Sequence, residues 1–415
     1  MINISISWLR RILVLGGSLL FLLALLHILL NTVWQGNDRV ERYLCRNFLI
    51  CDDERLLKAA RHKLERGDPN DVAAAIEDYE EAVRRDPASA YRWCDLAQAY
   101  LMSGQVIQTR ASISHALELA PYLSSIAMTA ANIYFQLQDT REGLHCARRV
   151  LSQTNEFDSS LFATYDQLGV GIETLLNEGM PADLRSAQAF FHHILAQGQV
   201  ADAQASWQWL FAHALTDDKL ADQYVNFLLK QQEYEVALQA WIQQLGKRVG
   251  DYPEGNGLFN SDFEAEPTGT VLDWKIRRVD GAEVERDSTV AKQGAWSLRV
   301  RFDGKVNLAY NHIAQKTIAR PGTYRFEAWI RTEAITTDQG VGWRIFDAES
   351  PSRLNLLFEN RVGSAEWTKL EKAFVVPPET RLLEVQLVRR PSLKFDNKIS
   401  GTVWIDAVSL AAVKN

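Results

Sequence analysis

Cysteine is scarce in this chain, with four residues in 415, at positions 45, 51, 94 and 146. No two of them form a CxxC pair, so the usual thiolate zinc sites are not expected. Cys94 and Cys146 fall on faces that read as helical, where a small buried thiol is the expected role. Cys45 and Cys51 could close a local disulfide in an oxidising compartment. Positive charge is not in excess either. The formal net charge is −7 and the pI is near 5.7, so no basic footprint for nucleic acid is present. The deficit lies in residues 1–250, with 22 Lys/Arg against 29 Asp/Glu, whereas residues 251–415 hold 23 of each. Catalytic signatures are missing as well: there is no GxSxG, P-loop or HExxH, and no GxGxxG after a strand. His192 and His193 are adjacent and lack the i, i+4 spacing that a metal on a helix needs. The chain is therefore not expected to be an enzyme. One arrangement stays open, a glycosidase pair made of Glu327 and Glu384 on neighbouring surfaces.

What is present divides the chain in three. Hydrophobic residues make up 47% and charged residues 23%, an ordinary folded composition, and 415 residues exceed what one core usually serves. Residues 12–33 read ILVLGGSLLFLLALLHILLNTV and carry no charge apart from a titratable His27. About 20 apolar residues span a bilayer as a helix, and no small-x-small cleavage site follows. This segment is expected to be a retained signal anchor. Arg10 and Arg11 on one side, and Arg39, Arg42 and Arg46 on the other, leave its orientation undecided.

From residue 52 to 246 proline and glycine are rare and apolar residues recur at helical spacing. Ala75, Tyr79, Ala82 and Pro87 in one segment are followed by Trp93, Leu96, Ala97, Tyr100, Ile113, Ala116 and Pro121. Ala127, Ala131, Tyr134, Gly143, Ala147 and Val150 come next. This 34-residue period resembles tetratricopeptide repeats, with Thr109 standing where alanine is usual. Further on, a long helix is expected over 159–178, then one holding Ala187, Phe191 and Ile194, then a pair around 220–230 and 233–245, about five hairpins in all. The resemblance implies a solenoid whose concave surface takes a protein partner. Trp207, Trp209 and Phe211 are too close in sequence to share one face.

At Gly250–Gly257 the composition shifts to turn formers, and period-2 alternation follows at 296–302, 323–331, 341–346, 382–388 and 402–405. Short strands without helices predict a β-sandwich. The ordered segments LFNSDFE, STVAKQGAWSLRVRF, QKTIARPGTYRFEAWIRTE, EWTKLEKAFVVP and GTVWIDAVSL resemble the jelly-roll carbohydrate-binding modules of the xylan- and cellulose-binding kind, in the galactose-binding-like fold. The resemblance covers nearly all of 257–412. It implies a structural calcium ion held by Glu264, Asp406 and the carbonyls near Lys292 and Gly294. Where the family often has two adjacent acids in its last strand, this chain has Asp406 followed by Ala407.

The residues also propose a sugar site. Tyr324, Phe326, Ala328 and Ile330 read as core, while Arg325, Glu327, Trp329 and Arg331 share the other face of one strand. A tryptophan among fork-like polar groups suits a pyranose. Glu384, Gln386 and Arg390 form a comparable face, which Tyr310 and Arg344 extend. Arg389, Arg390, Lys394 and Lys398 make a locally basic loop that would favour an acidic glycan.

The expected organisation is a cytoplasmic N-terminus (1–11), a transmembrane helix (12–33), a linker (34–51), tetratricopeptide-like repeats (52–246), a linker (247–256) and the β-sandwich (257–412). The fold class is multidomain, an all-α solenoid followed by an all-β jelly roll. The expected role is a single-pass adaptor in a bacterial inner membrane, its folded domains in the periplasm or outside. The repeats would hold a protein partner and the sandwich a polysaccharide, in exopolysaccharide export or assembly. The alternative is a structural scaffold whose sandwich docks protein and binds no sugar.

Overall fold

The computed structural model describes residues 53–413, together with Gly17, Ser18, Phe21, Leu22 and Leu25. The expected anchor at 12–33 and its flanks therefore lie outside the described residues, those five positions excepted. Among the described residues no helix is long and apolar enough to cross a membrane. The chain divides into two compact units, residues 1–181 and 182–415.

The first unit is helical. Helices α1 (Asp53–Arg66), α2 (Pro69–Arg85), α3 (Ala90–Met102), α4 (Val106–Leu119), α5 (Ser124–Gln136) and α6 (Thr140–Gln153) pack in consecutive pairs. α5 begins 34 residues after α3 (Ser124 against Ala90), and α6 begins 34 after α4 (Thr140 against Val106). Ala75, Ala97, Ala116, Ala127, Ala131 and Ala147 are buried, since only small side chains let paired helices approach closely. Thr109 is buried too, its hydroxyl donating to the Gln105 carbonyl at 2.9 Å. The back-bond satisfies a polar group that would otherwise be costly at an alanine position.

The long helix expected over 159–178 is broken. α7 (Asp158–Gln167) stops before Leu168-Gly169-Val170-Gly171, and α8 (Ile172–Thr174) then leads into a π-helical turn, Leu175–Gly179. Gly169 has φ +63°, a left-handed conformation that ends a helix at little cost for glycine alone.

The second unit holds α9 (Leu184–Gln197), α10 (Val200–Ala212), α11 (Asp218–Lys230) and α12 (Tyr234–Leu245), followed by ten strands. α10 falls between the helices expected around 187–194 and 220–230. Trp207 is fully buried on it, and Phe211 is exposed. The strands are β1 (Lys275–Ile276), β2 (Ala282–Asp287), β3 (Ser297–Asp303), β4 (Tyr310–Ile318), β5 (Gly322–Ile335), β6 (Gly342–Asp347), β7 (Asn355–Leu357), β8 (Gly363–Val376), β9 (Leu382–Arg389) and β10 (Ser400–Ala412). They form two five-stranded antiparallel sheets. Sheet A runs β1-β4-β9-β6-β7 and sheet B runs β2-β3-β10-β5-β8. Their inner faces share one core, in which Phe263, Trp274, Trp343, Phe326 and Phe358 pack ring to ring at centroid distances of 5.0–6.1 Å.

α11 and α12 lie against the sandwich. The Val271 N–H donates to Asp222 Oδ1 at 2.5 Å, and Trp241 meets Phe259 edge-on at 6.1 Å. The Tyr234 hydroxyl donates to Glu349, and the Arg381 guanidinium pairs with Glu235. In the 247–256 stretch, buried Tyr252 packs on Phe259 at 5.9 Å. Asn256 there bonds both to Val408 and to Leu410 of the last strand.

Candidate functional site on the outer face of sheet A

The residues expected to form one sugar site belong to two sheets. Arg325, Glu327, Trp329 and Arg331 sit on β5 in sheet B, whereas Arg344, Glu384 and Gln386 sit on β6 and β9 in sheet A. Both sets point away from the shared core, so they open on opposite sides of the sandwich. The two polar faces expected on 323–331 and 382–390 are therefore separate surfaces. The glycosidase pair is corrected likewise: Glu327 and Glu384 face away from each other across the core and cannot flank one bond.

On the sheet B side the alternation of β5 is as expected, with Phe326, Ala328 and Ile330 buried. The polar face is filled by its own charges. Lys292 Nζ lies 3.9 Å from the centre of the Trp329 ring, a cation–π contact that occupies the surface a pyranose would need. Lys369 bridges Glu327 and Glu371 at 2.9 and 3.0 Å, Arg325 reaches Glu371 at 3.5 Å, and Arg331 reaches Glu366 at 3.6 Å. Arg331 also lies over the buried Trp404 ring at 5.4 Å.

The sheet A side is open. Arg344 faces Gln386 across the β6–β9 ladder, and Phe346 and Lys316 face Glu384 from either side. Arg344 Nε donates to Asn355 Oδ1 at 2.9 Å while its guanidinium lies 4.1 Å over the Phe346 ring. Gln386 Nε2 donates to the Asn311 carbonyl at 3.2 Å and to Glu384 at 3.3 Å. A depression of about 300 Å³ lies here, lined among others by Asn311, Arg344, Asn355, Gln386 and Arg390. A second, of about 470 Å³, is lined by Gly342, Glu359 and Asn360, and shares Leu357, Val388 and Arg390 with the first. The two adjoin at Arg390.

Of the expected site residues, Arg344, Gln386 and Arg390 line this groove and Glu384 stands beside Gln386. Tyr310 reaches its edge, but the side chain is only 1% exposed and packs on Phe302 at 5.4 Å. Burial drives its phenol pKa upward, so it serves as core and not as a contact. Phe346, Asn311 and Asn355 were missed. The alternation that places Arg344 outward places Phe346 beside it, but nothing local reveals that β7 brings Asn355 across.

Arg389 does not belong to the basic loop surface. It is buried, and its guanidinium donates to Gln339 O, Asn307 Oδ1, Leu308 O, Thr337 Oγ1 and Asn397 O at 2.6–3.4 Å. These bonds tie three loops together at one end of the sandwich. Burial lowers its pKa.

Glu264, Asp406, Lys292 and Gly294 do come together, with a different chemistry from that of a calcium cage. Asp406 Oδ2 accepts the N–H groups of Lys292 and Gln293 at 2.7 and 2.9 Å, and Oδ1 accepts that of Ala407 at 2.6 Å. Glu264 Oε1 accepts from Ala295 and Trp296 at 2.7 and 2.9 Å. Gly294, at φ +65°, permits this, because a Cβ there would lie 2.2 Å from Glu264 Oε1. The loop turns N–H donors toward the carboxylates, whereas calcium needs converging oxygens. These residues do not fit the ion.

No family model and no curated protein matches the chain. Solved structures do match its C-terminal part. One is the family 22 carbohydrate-binding, xylan-binding domain from Paenibacillus barcinonensis Xyn10C, 16% identical, covering 37% of this chain and 93% of that one at a TM-score of 0.28. A family 61 carbohydrate-binding module in complex with β-1,4-galactotriose is 18% identical over 38% and 99%, with a TM-score of 0.29. Another family 22 xylan-binding domain is 19% identical over 39% and 97%, also at 0.29.

Proposed function

We propose that this protein is a non-catalytic adaptor whose β-sandwich binds a polysaccharide along the outer face of sheet A. The observation that carries the reading is the pair of depressions adjoining at Arg390. They form an extended groove with planar, fork-like polar groups at Arg344, Asn355 and Arg390, over a buried Gln386. Such groups match sugar hydroxyls, and an elongated groove admits successive residues of a polymer. Phe346 lies under the Arg344 guanidinium and helps hold it in place.

The paired helices offer a surface for a protein partner, and the uncharged run at 12–33 offers a membrane tether. Together these features support an accessory role at a bacterial cell envelope, in export or assembly of an exopolysaccharide.

The test is binding of the full chain to a panel of neutral and acidic polysaccharides. Arg344→Ala and Arg390→Ala should each weaken binding roughly tenfold, as expected for a charged hydrogen bond lost at a ligand, while Trp329→Ala should leave it unchanged. Loss of binding on Trp329→Ala alone would move the site to sheet B. A folded chain that binds no polymer would replace this reading with a protein-docking scaffold.

A further inference from the structure

The segment between β9 and β10 carries two large apolar side chains that touch nothing: Leu393 is 101% exposed and Phe395 105%. Burying such a side chain is favourable, so a slack loop would fold them inward. This loop is not slack. Ser392 is buried at its base, where its N–H donates to Asn307 Oδ1 at 3.0 Å and its hydroxyl to Asp338 Oδ1 at 2.5 Å. Its carbonyl accepts from Asn307 Nδ2 at 2.9 Å. The Lys394 N–H donates to Ser392 Oγ at 3.1 Å, and Arg389 holds the Asn397 carbonyl at 3.0 Å on the returning limb. The tip is thus held out by a buried polar base.

Arg390, Lys394 and Lys398 are exposed on the same segment, with the exposed acid Asp396. Asp338 pairs with Lys394 at 3.6 Å, so the cations exceed the acids by one. The adjoining loop adds exposed Val306, joined through its carbonyl to the Ile399 N–H at 3.3 Å, and exposed Lys305, which pairs with Asp303 at 3.2 Å. A convex leucine and phenylalanine offer no concavity for a sugar, and the groups suited to hydroxyls line the groove. An apolar tip flanked by the exposed cations Arg390, Lys394 and Lys398 instead matches the interface of an anionic bilayer. There the apolar ends enter the headgroup layer, and cations near the surface are attracted to it. A chain tethered through residues 12–33 would need only weak affinity at the tip, because the bilayer would be present at high effective concentration.

We propose that the 391–398 loop is a membrane-contact tip, with Leu393 and Phe395 entering the headgroup region of an anionic lipid surface and Lys394 and Lys398 meeting its phosphates. The test is hydrogen–deuterium exchange on the full chain in phosphatidylcholine vesicles with and without phosphatidylglycerol. Amides of 393–398 should exchange severalfold more slowly in the anionic vesicles. Added salt should reduce that protection, as should Lys394→Glu/Lys398→Glu. Leu393→Ser/Phe395→Ser should abolish it while leaving polysaccharide binding intact. Equal exchange in both vesicles would overturn the proposal. So would protection that appears only on adding polysaccharide, which would make the loop part of the glycan site. Lipid-dependent protection in a chain that binds no polysaccharide would leave this inference standing without the groove reading.

Discussion

Glu264 and Asp406 hold the 292–296 loop by accepting its peptide N–H groups, and Asp406 also takes the N–H of Ala407. Burial raises the Asp406 pKa, opposed by those N–H groups and reinforced by Asp262 nearby. Asp406→Ala would strip three peptide donors of their acceptor; Lys292 and Gln293 are exposed, so water takes its place there and the cost is about 0.5–1.5 kcal/mol for each bond lost. The expected result is a markedly lower denaturation midpoint in urea, whereas calcium or a chelator should leave the parent midpoint unchanged. A calcium-dependent midpoint would restore the cage. The acids themselves were legible in the sequence, in the right segments. The direction of the peptide groups facing them was not, because it depends on the turn made around Gly294. Trp329 follows the same logic: alternation put it outward, but only the fold puts Lys292 over its ring.

Among the elements, α6 shows how a helix end couples to a neighbouring helix. Asp139 is its N-cap, accepting the Glu142 N–H at 3.3 Å, and it also pairs with Arg110 on α4. The Arg110 guanidinium holds the Asp139 carboxyl below its ordinary pKa. A carboxylate depressed on folding contributes stability that is present above its unfolded value, near 3.8, and is lost as pH falls through the folded value. Asp139→Ala should therefore cost about 1 kcal/mol near neutrality, the usual worth of such a cap. The gap between variant and parent midpoints should close once the pH is taken below the ordinary carboxylate range. A gap that persists in acid would assign the effect to packing. The strands were legible from alternation at 323–331, 341–346 and 382–388, since burial on one face imposes period two. The helix expected over 159–178 was misread because apolar spacing persists through Gly169, while the backbone turns there.

At the scale of the whole molecule, the shift to turn formers at Gly250 suggested a boundary, yet α9–α12 belong to the same compact unit as the sandwich. Trp241 is fully buried, edge-on to Phe259. Truncating a buried aromatic costs about 3–5 kcal/mol. Trp241→Ala in the full chain should lower the melting of α11–α12 and of the sandwich together, read by calorimetry and by exchange of amides in both. Loss confined to the helices would show that the contact carries no coupling. Contacts of this kind join residues far apart in sequence, such as Asp222 with Val271 and Tyr234 with Glu349, so composition along the chain does not reveal them.

The sequence by itself determined that a helical region precedes a sandwich of strands, which face of β5 turns inward and the kinds of polar group available, because these follow from local periodicity and residue chemistry. Tertiary structure alone decided which polar faces meet. Two sheets packed across one core turn their outer faces in opposite directions, which separates Trp329 from Arg344 and leaves the groove to the side of sheet A.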